Sequence, residues 1–158
     1  MNDRLQAHFV EQAGFCAEYG SPFTARLIEA LGADLAAGGP TAALVGDWAR
    51  SPRADALSLR LTGALHAAVL TGRAPALEGV YPAAAPNWSI DAVWPLARAV
   101  LVDDQDWVAE FIKSPPQTNE VRRAIGLLAG FLDIASRFDA PMETLEIGAS
   151  AGLNNRFH

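Results

Sequence analysis

The sequence predicts a mainly α-helical fold. A multi-helix N-terminal domain over residues 1–113 is followed by residues 114–158, the start of an incomplete α/β domain made of a helix, a strand and a glycine-rich turn. Three observations predict this. Apolar residues recur at helical spacing through most of the chain. Clusters of Gly and Pro divide those stretches at intervals of helix length. One short apolar strand, 143–147, runs into the small-residue turn Gly148-Ala149-Ser150-Ala151-Gly152.

The elements follow in order. Residues 3–19 read as a first helix, with Leu5, Phe9, Ala13 and Cys16 on one face. Gly20-Ser21-Pro22 punctuates: Ser21 is the expected N-cap and Pro22 a first-turn residue of a helix through about Leu35. Ala37-Gly38-Gly39-Pro40 ends that helix. A short helix over 41–48 and a loop over 49–53 follow. Asp55 is the candidate cap of a helix from Ala56 to about Thr71, whose stripe is Leu57, Leu61, Leu65 and Ala68. Gly72 and Pro75 terminate it, and residues 73–88, with Pro75, Pro82 and Pro86, read as loop.

Ser89 is expected to cap another helix, interrupted near Pro95, with a second piece carrying Leu101, Trp107, Phe111 and Ile112. The acidic run Asp103-Asp104-Gln105-Asp106 between them reads as a solvated turn or a helix start. Ser114 and Gln117 have capping-box spacing, with Pro115 at the first helical position, and Thr118 is a rival cap. The helix they open runs to about Phe138. Its apolar set of Val121, Ile125, Leu128, Leu132 and Ala135, widened by Leu127, Phe131 and Ile134, predicts burial on more than one side.

Composition bounds the function. The chain has 158 residues, a hydrophobic fraction of 51% and a net charge of −6. A length and apolar content of this kind suit a packed domain and not a disordered one. The acidic balance argues against a nucleic-acid partner, and Arg122-Arg123 is the one adjacent basic pair. No apolar run reaches membrane-spanning length, and the start carries no signal-peptide pattern, so a cytoplasmic location is expected. Cys16 is the single cysteine, read as a small buried hydrophobe. His8, His66 and His158 lack metal-ligand spacing, so no metal site is expected. His66 reads as a core or boundary residue, Arg60 and Asp55 as surface or local ion-pair groups, and Trp48, Trp88, Trp94 and Trp107 as core.

The turn after the strand carries the chemistry, and three readings of it are open. Glu146-Ile147-Gly148-Ala149-Ser150-Ala151-Gly152 resembles the E/D-x-G-x-G-x-G loop of class I methyltransferases, with Ser150 in place of the middle glycine. Glycines there let the backbone approach S-adenosylmethionine, and the acidic residue orients the methionine end. On this reading Glu146, Gly148, Ser150, Gly152 and Asn154 bind the cofactor. Gln117 and Asn119, at the start of the preceding helix, line the same pocket. Alternatively, Gly148-Ala149-Ser150-Ala151-Gly152 matches the G-x-S-x-G nucleophile elbow of serine hydrolases. A triad in elbow order needs an acid and then a His after the serine. Only His158 follows Ser150, and no acid does. The third reading is a tight strand-to-helix turn with no ligand. No catalytic residue is nameable.

The order of blocks also resembles a known family. Arg60-Leu61-Thr62-Gly63-Ala64-Leu65-His66, Pro115-Pro116-Gln117-Thr118-Asn119-Glu120-Val121 and Leu145-Glu146-Ile147-Gly148-Ala149-Ser150-Ala151-Gly152-Leu153-Asn154 are similar to blocks of the bacterial uncharacterised family DUF2332. The resemblance covers nearly the whole chain. It implies a protein about twice this long that continues past the turn into a methyltransferase-like α/β region, with an unidentified small-molecule substrate. The 158 residues are then a truncated N-terminal portion, inactive alone. The alternative is a non-enzymatic helical interaction module whose last strand pairs with a partner or with a second copy, as a homo-oligomer.

Overall fold

A computed structural model describes residues 3–116, 123–138 and the single positions 141, 143 and 145. Its described residues form eight helices and no strand. In order these are α1 (Asp3–Glu18), α2 (Pro22–Ala36), α3 (Pro40–Val45), α4 (Leu57–Leu70), α5 (Pro75–Glu78), α6 (Ile90–Asp103), α7 (Gln105–Phe111) and α8 (Arg123–Arg137). The chain divides into two compact units, Met1–Pro116 and Gln117–His158. None of the helices is long and apolar enough to cross a membrane.

In the first unit α1 and α2 form an antiparallel pair, and the core lies between them and α4, α6 and α7. The expected stripes are what is buried. Leu5, Phe9 and Ala13 of α1 meet Leu27, Ile28 and Leu31 of α2, and Leu57, Leu61, Leu65 and Ala68 of α4 join them. Burying side chains of this size contributes roughly 1.5–3 kcal/mol each relative to exposure. Cys16 is half-buried at the rim, with Gln12 Nε2 3.8 Å from its sulfur.

Helix ends show where local sequence signals were replaced by distant groups. Ser89 caps α6 as expected, its Oγ accepting from Ala92 N at 3.3 Å. Ser21 occupies the N-cap of α2, but its hydroxyl caps nothing. Asp55 does not cap α4. That helix starts at Leu57 behind Ala56, which takes a left-handed conformation (φ +50°), and the Asp55 carboxylate turns to side chains instead. The caps of α3 and α4 come from other helices. Asp34 of α2 accepts from Thr41 N of α3 at 2.8 Å, and His8 of α1 accepts from Ser58 N of α4 at 3.2 Å. Each satisfies an N–H that the helix itself leaves unpaired.

The α2–α3 turn depends on two glycines. Gly38 has φ +72°, where the chain reverses and Gly39 N donates to Asp34 O at 2.9 Å. A Cβ on Gly39 would overlap the Asp34 carboxylate, so only glycine leaves that carboxylate free to cap α3.

Three expectations are corrected and one is met. The helix at 90–103 is not interrupted at Pro95: the ring and Asp91, whose carbonyl proline leaves without its usual donor, are both on the exposed side, open to solvent. The acidic run is, as expected, a solvated turn and helix start: Asp104 is the turn between α6 and α7, and α7 opens at Gln105. Residues 73–88 are not all loop, because Pro75 opens the single turn α5. In the second unit, described by itself, Ile125, Leu128, Leu132 and Ile134 of α8 are exposed, against the expected burial; helical period fixes which residues share a face and not what covers it. Of the predicted strand 143–147, Glu143 and Leu145 are described and neither is in a strand; the rest lies outside the described residues. So do Gln117 and Thr118 of the expected helix start, while Ser114 lies in the turn after α7.

Candidate functional site

All seven residues singled out for a cofactor, Glu146, Gly148, Ser150, Gly152, Asn154, Gln117 and Asn119, lie outside the described residues. The candidate site described below belongs to the first unit and was not anticipated.

It is built on α4. At helical spacing, Leu59, Thr62, Gly63 and His66 share a face next to the core stripe. That face forms one wall of a cleft of about 460 Å³. Phe23 and Thr24, in the first turn of α2, form another wall. Tyr81, three residues past the end of α5, lines the cleft with Pro82 beside it. No Asp, Glu, Lys or Arg lines the cleft.

The aromatic rings are in mutual contact. His66 stacks on Tyr81, with centroids 5.8 Å apart and planes 25° from parallel. Phe23 stands edge-on to Tyr81 at 4.7 Å and to Trp88 at 5.0 Å. Such pairs stabilise by about 0.5–1.5 kcal/mol beyond area burial, so they hold Tyr81 in place. Tyr81 is 6% exposed, and burial pushes its phenol up to about 12. It is therefore a neutral hydroxyl over the physiological range, able to donate or accept a hydrogen bond but not to act as a base.

Most polar groups of the cleft make no hydrogen bond within the fold. Thr62 Oγ1 donates back to Leu59 O at 3.2 Å and keeps its lone pairs. The His66 ring nitrogens, the Thr24 hydroxyl and the Tyr81 hydroxyl have no hydrogen-bond partner among the described residues. His66 is exposed, so its expected place in the core or at its boundary is corrected: it lies one step round the helix from Leu65, on the solvent side of the buried stripe.

Two other polar clusters are structural. Arg60 makes the expected local ion pair with Asp55, Nη2 to Oδ1 at 3.4 Å, but it is 5% exposed and not a surface group. Its Nη1 donates to Ile112 O at 3.0 Å and Lys113 O at 2.9 Å, and its Nε donates to Asp55 O. Asp55 also accepts from Trp48 Nε1 at 2.9 Å. Arg60 thus satisfies the carbonyls at the C-terminal end of α7, where a cation is favoured. The other cluster is His8 with Ser58, whose hydroxyl lies 3.1 Å from His8 Nε2. Ser58 is fully buried, so this pair presents no nucleophile to a substrate. Desolvation holds the His8 pKa below its usual value, aided by Arg53 and opposed by Glu11.

The tryptophans expected in the core are all half-buried; Trp48, Trp94 and Trp107 pack against it, and Trp48 lies under the guanidinium of Arg60. Among the described residues no three His, Cys, Asp or Glu are grouped to hold a metal. Sequence reasoning missed Phe23, Thr24 and Tyr81. The signal for one wall was present: Leu59, Thr62 and His66 recur at i, i+3 and i+7 beside the leucine stripe. The Tyr81 side carried none, because its residues come from a turn between prolines.

A family model described as uncharacterised proteins conserved in bacteria, DUF2332, matches residues 6–158. No curated protein and no solved structure matches the chain.

Proposed function

The chain belongs to the DUF2332 family, and from that premise we propose that it is the N-terminal portion of an S-adenosylmethionine-dependent, methyltransferase-like protein. Residues 114–158 begin its α/β domain. The observation that carries this reading is the run Glu146-Ile147-Gly148-Ala149-Ser150-Ala151-Gly152 directly after an apolar segment. An acidic residue two positions before small residues at alternate sites gives a carboxylate for the methionine end. It also gives a backbone that a ligand can approach. Gly148, Ser150 and Gly152 line the cofactor, Glu146 orients it, and Asn154, Gln117 and Asn119 add hydrogen bonds. S-adenosylmethionine supplies an electrophilic methyl group, and the protein contributes mainly positioning and exclusion of water.

The test is a calorimetric titration of S-adenosylmethionine into the full gene product, with and without G148V. A side chain at Gly148 blocks the backbone approach, so saturable binding is expected in the parent and at least a tenfold loss in the variant. Equal affinity in both, or no binding in either, overturns the proposal. The elbow alternative is separated by a fluorophosphonate probe, which labels Ser150 only if that residue is an activated nucleophile.

A further inference from the structure

We infer that the cleft between α2, α4 and the turn after α5 is a binding site for a small, neutral, planar aromatic molecule that carries both a hydrogen-bond donor and an acceptor. The inference stands apart from the cofactor reading, which concerns residues 114–158.

Four observations define the ligand. The volume of about 460 Å³ admits a one- or two-ring molecule and is within the range of small-molecule pockets. The lining has no acidic or permanently basic side chain, so an ion entering it would lose hydration without a countercharge. The stacked pair of His66 and Tyr81 offers an exposed imidazole laid over a buried phenol, a platform that a flat ring extends. The groups that line the cleft can both donate and accept: Thr62 Oγ1 donates to Leu59 O and keeps its lone pairs, while Thr24, His66 and Tyr81 make no side-chain hydrogen bond to a described residue. Tyr81 as a whole is 6% exposed, but solvent reaches its hydroxyl, which hydrogen-bonds no described residue and is free to meet a ligand. A ligand with one donor and one acceptor completes that set. The side chains are already held in place by Phe23 and Trp88, so binding requires no large rearrangement.

The experiment is a two-dimensional NMR titration of the 158-residue chain with benzamide, nicotinamide and indole. The comparators are cyclohexanecarboxamide, benzoate and benzylamine. The expected result is saturable shifts at Thr24, Thr62, His66 and Tyr81 with the neutral aromatic probes, and at least tenfold weaker binding of the non-aromatic and charged comparators. Two variants locate the site. H66A removes the platform and is expected to weaken binding at least tenfold. A83W fills the exposed mouth of the cleft without removing any core contact and is expected to abolish binding. Retained spectral dispersion in both variants shows that they fold. The inference is overturned if none of the three neutral probes saturates, if the shifts fall elsewhere, if the charged comparators bind as well as the neutral ones, or if A83W binds as the parent does. The two readings fail separately, because this one is read from neutral aromatic probes at Thr24, Thr62, His66 and Tyr81 and the cofactor reading from S-adenosylmethionine binding with and without G148V.

Discussion

Two stretches of α4 are one turn apart and treat polar groups in opposite ways. From Leu57 to Arg60 every polar side chain is buried and engaged: Ser58 with His8, and Arg60 with Asp55 and the carbonyls ending α7. From Thr62 to His66 the polar groups face a cleft, and His66 has ring contact but no hydrogen bond. The first stretch ties helices together, so its polar groups are consumed by the fold. The second keeps hydrogen-bonding capacity that the fold does not need. Polar groups in full use tie the helices together here, while the accessible ones on the next turn line the cleft.

The contrast predicts very different costs for mutation. Arg60→Ala strips the end of α7 of its donors and leaves the half-buried Asp55 with Trp48 and the exposed Arg50 as its side-chain partners. The expected loss is about 3 kcal/mol in urea unfolding, in line with breaking a buried charge network. A loss under about 1 kcal/mol would break the contrast at its strong end. Next in size is Gly39→Ala. The new Cβ displaces the Asp34 carboxylate, which caps α3 and meets Arg98 Nε at 2.9 Å. The expected cost is about 2 kcal/mol, the range of a lost helix cap with added crowding. Replacing Asp34 itself with Ala in the G39A background should then add little, since both changes remove the same cap.

Much of the first unit was legible in the sequence, and the rest failed for one physical reason. Leu5, Phe9 and Ala13, then Leu57, Leu61, Leu65 and Ala68, announce their buried faces through period alone. Ser89 announces its cap because donor and acceptor lie three residues apart. Asp34, His8 and Arg60 gave no such signal, because their partners are 7, 50 and 52 residues away and are joined only when the helices pack. Asp55 was misread for the same reason: its cap-like position is local, while its carboxylate serves Trp48 and Arg60. The cleft was half legible. Its α4 wall follows from spacing, but Phe23 and Tyr81 come to it from two other segments. The Gly148 turn was the plainest motif in the sequence, and it lies outside the described residues.

His8 sharpens the comparison through pH. Its Nε2 accepts from Ser58 N and must be unprotonated to do so. Burial lowers its folded-state pKa below 6.5, so the unfolded chain takes up the proton first as pH falls. The His8 contribution to stability is therefore complete above about pH 6.5. It is lost on acidification from there toward the lower folded value. Parent protein should lose stability between pH 7.5 and 5.5, measured by urea unfolding. H8Q, which does not titrate, should lose less over that interval and be about 1 kcal/mol less stable at pH 7.5, the cost of a weakened cap. Equal slopes in the two proteins would assign the pH dependence to another group.

His66→Ala is expected to cost least, within about 0.5 kcal/mol, as for surface positions that hold nothing else in place. The side chain is exposed and makes no hydrogen bond, and its one ring contact is to Tyr81, which Phe23 also holds. A side chain this dispensable to the fold stands on the same helix as one that the fold cannot lose. That pairing gives the cleft its meaning, because stability does not explain an imidazole laid over a buried phenol. If H66A unfolds as readily as R60A, the His66–Tyr81 stack is a structural clasp and the case for a ligand loses its platform. If H66A is neutral to stability and weakens capture of a neutral aromatic probe, the stack is there for the molecule that completes it.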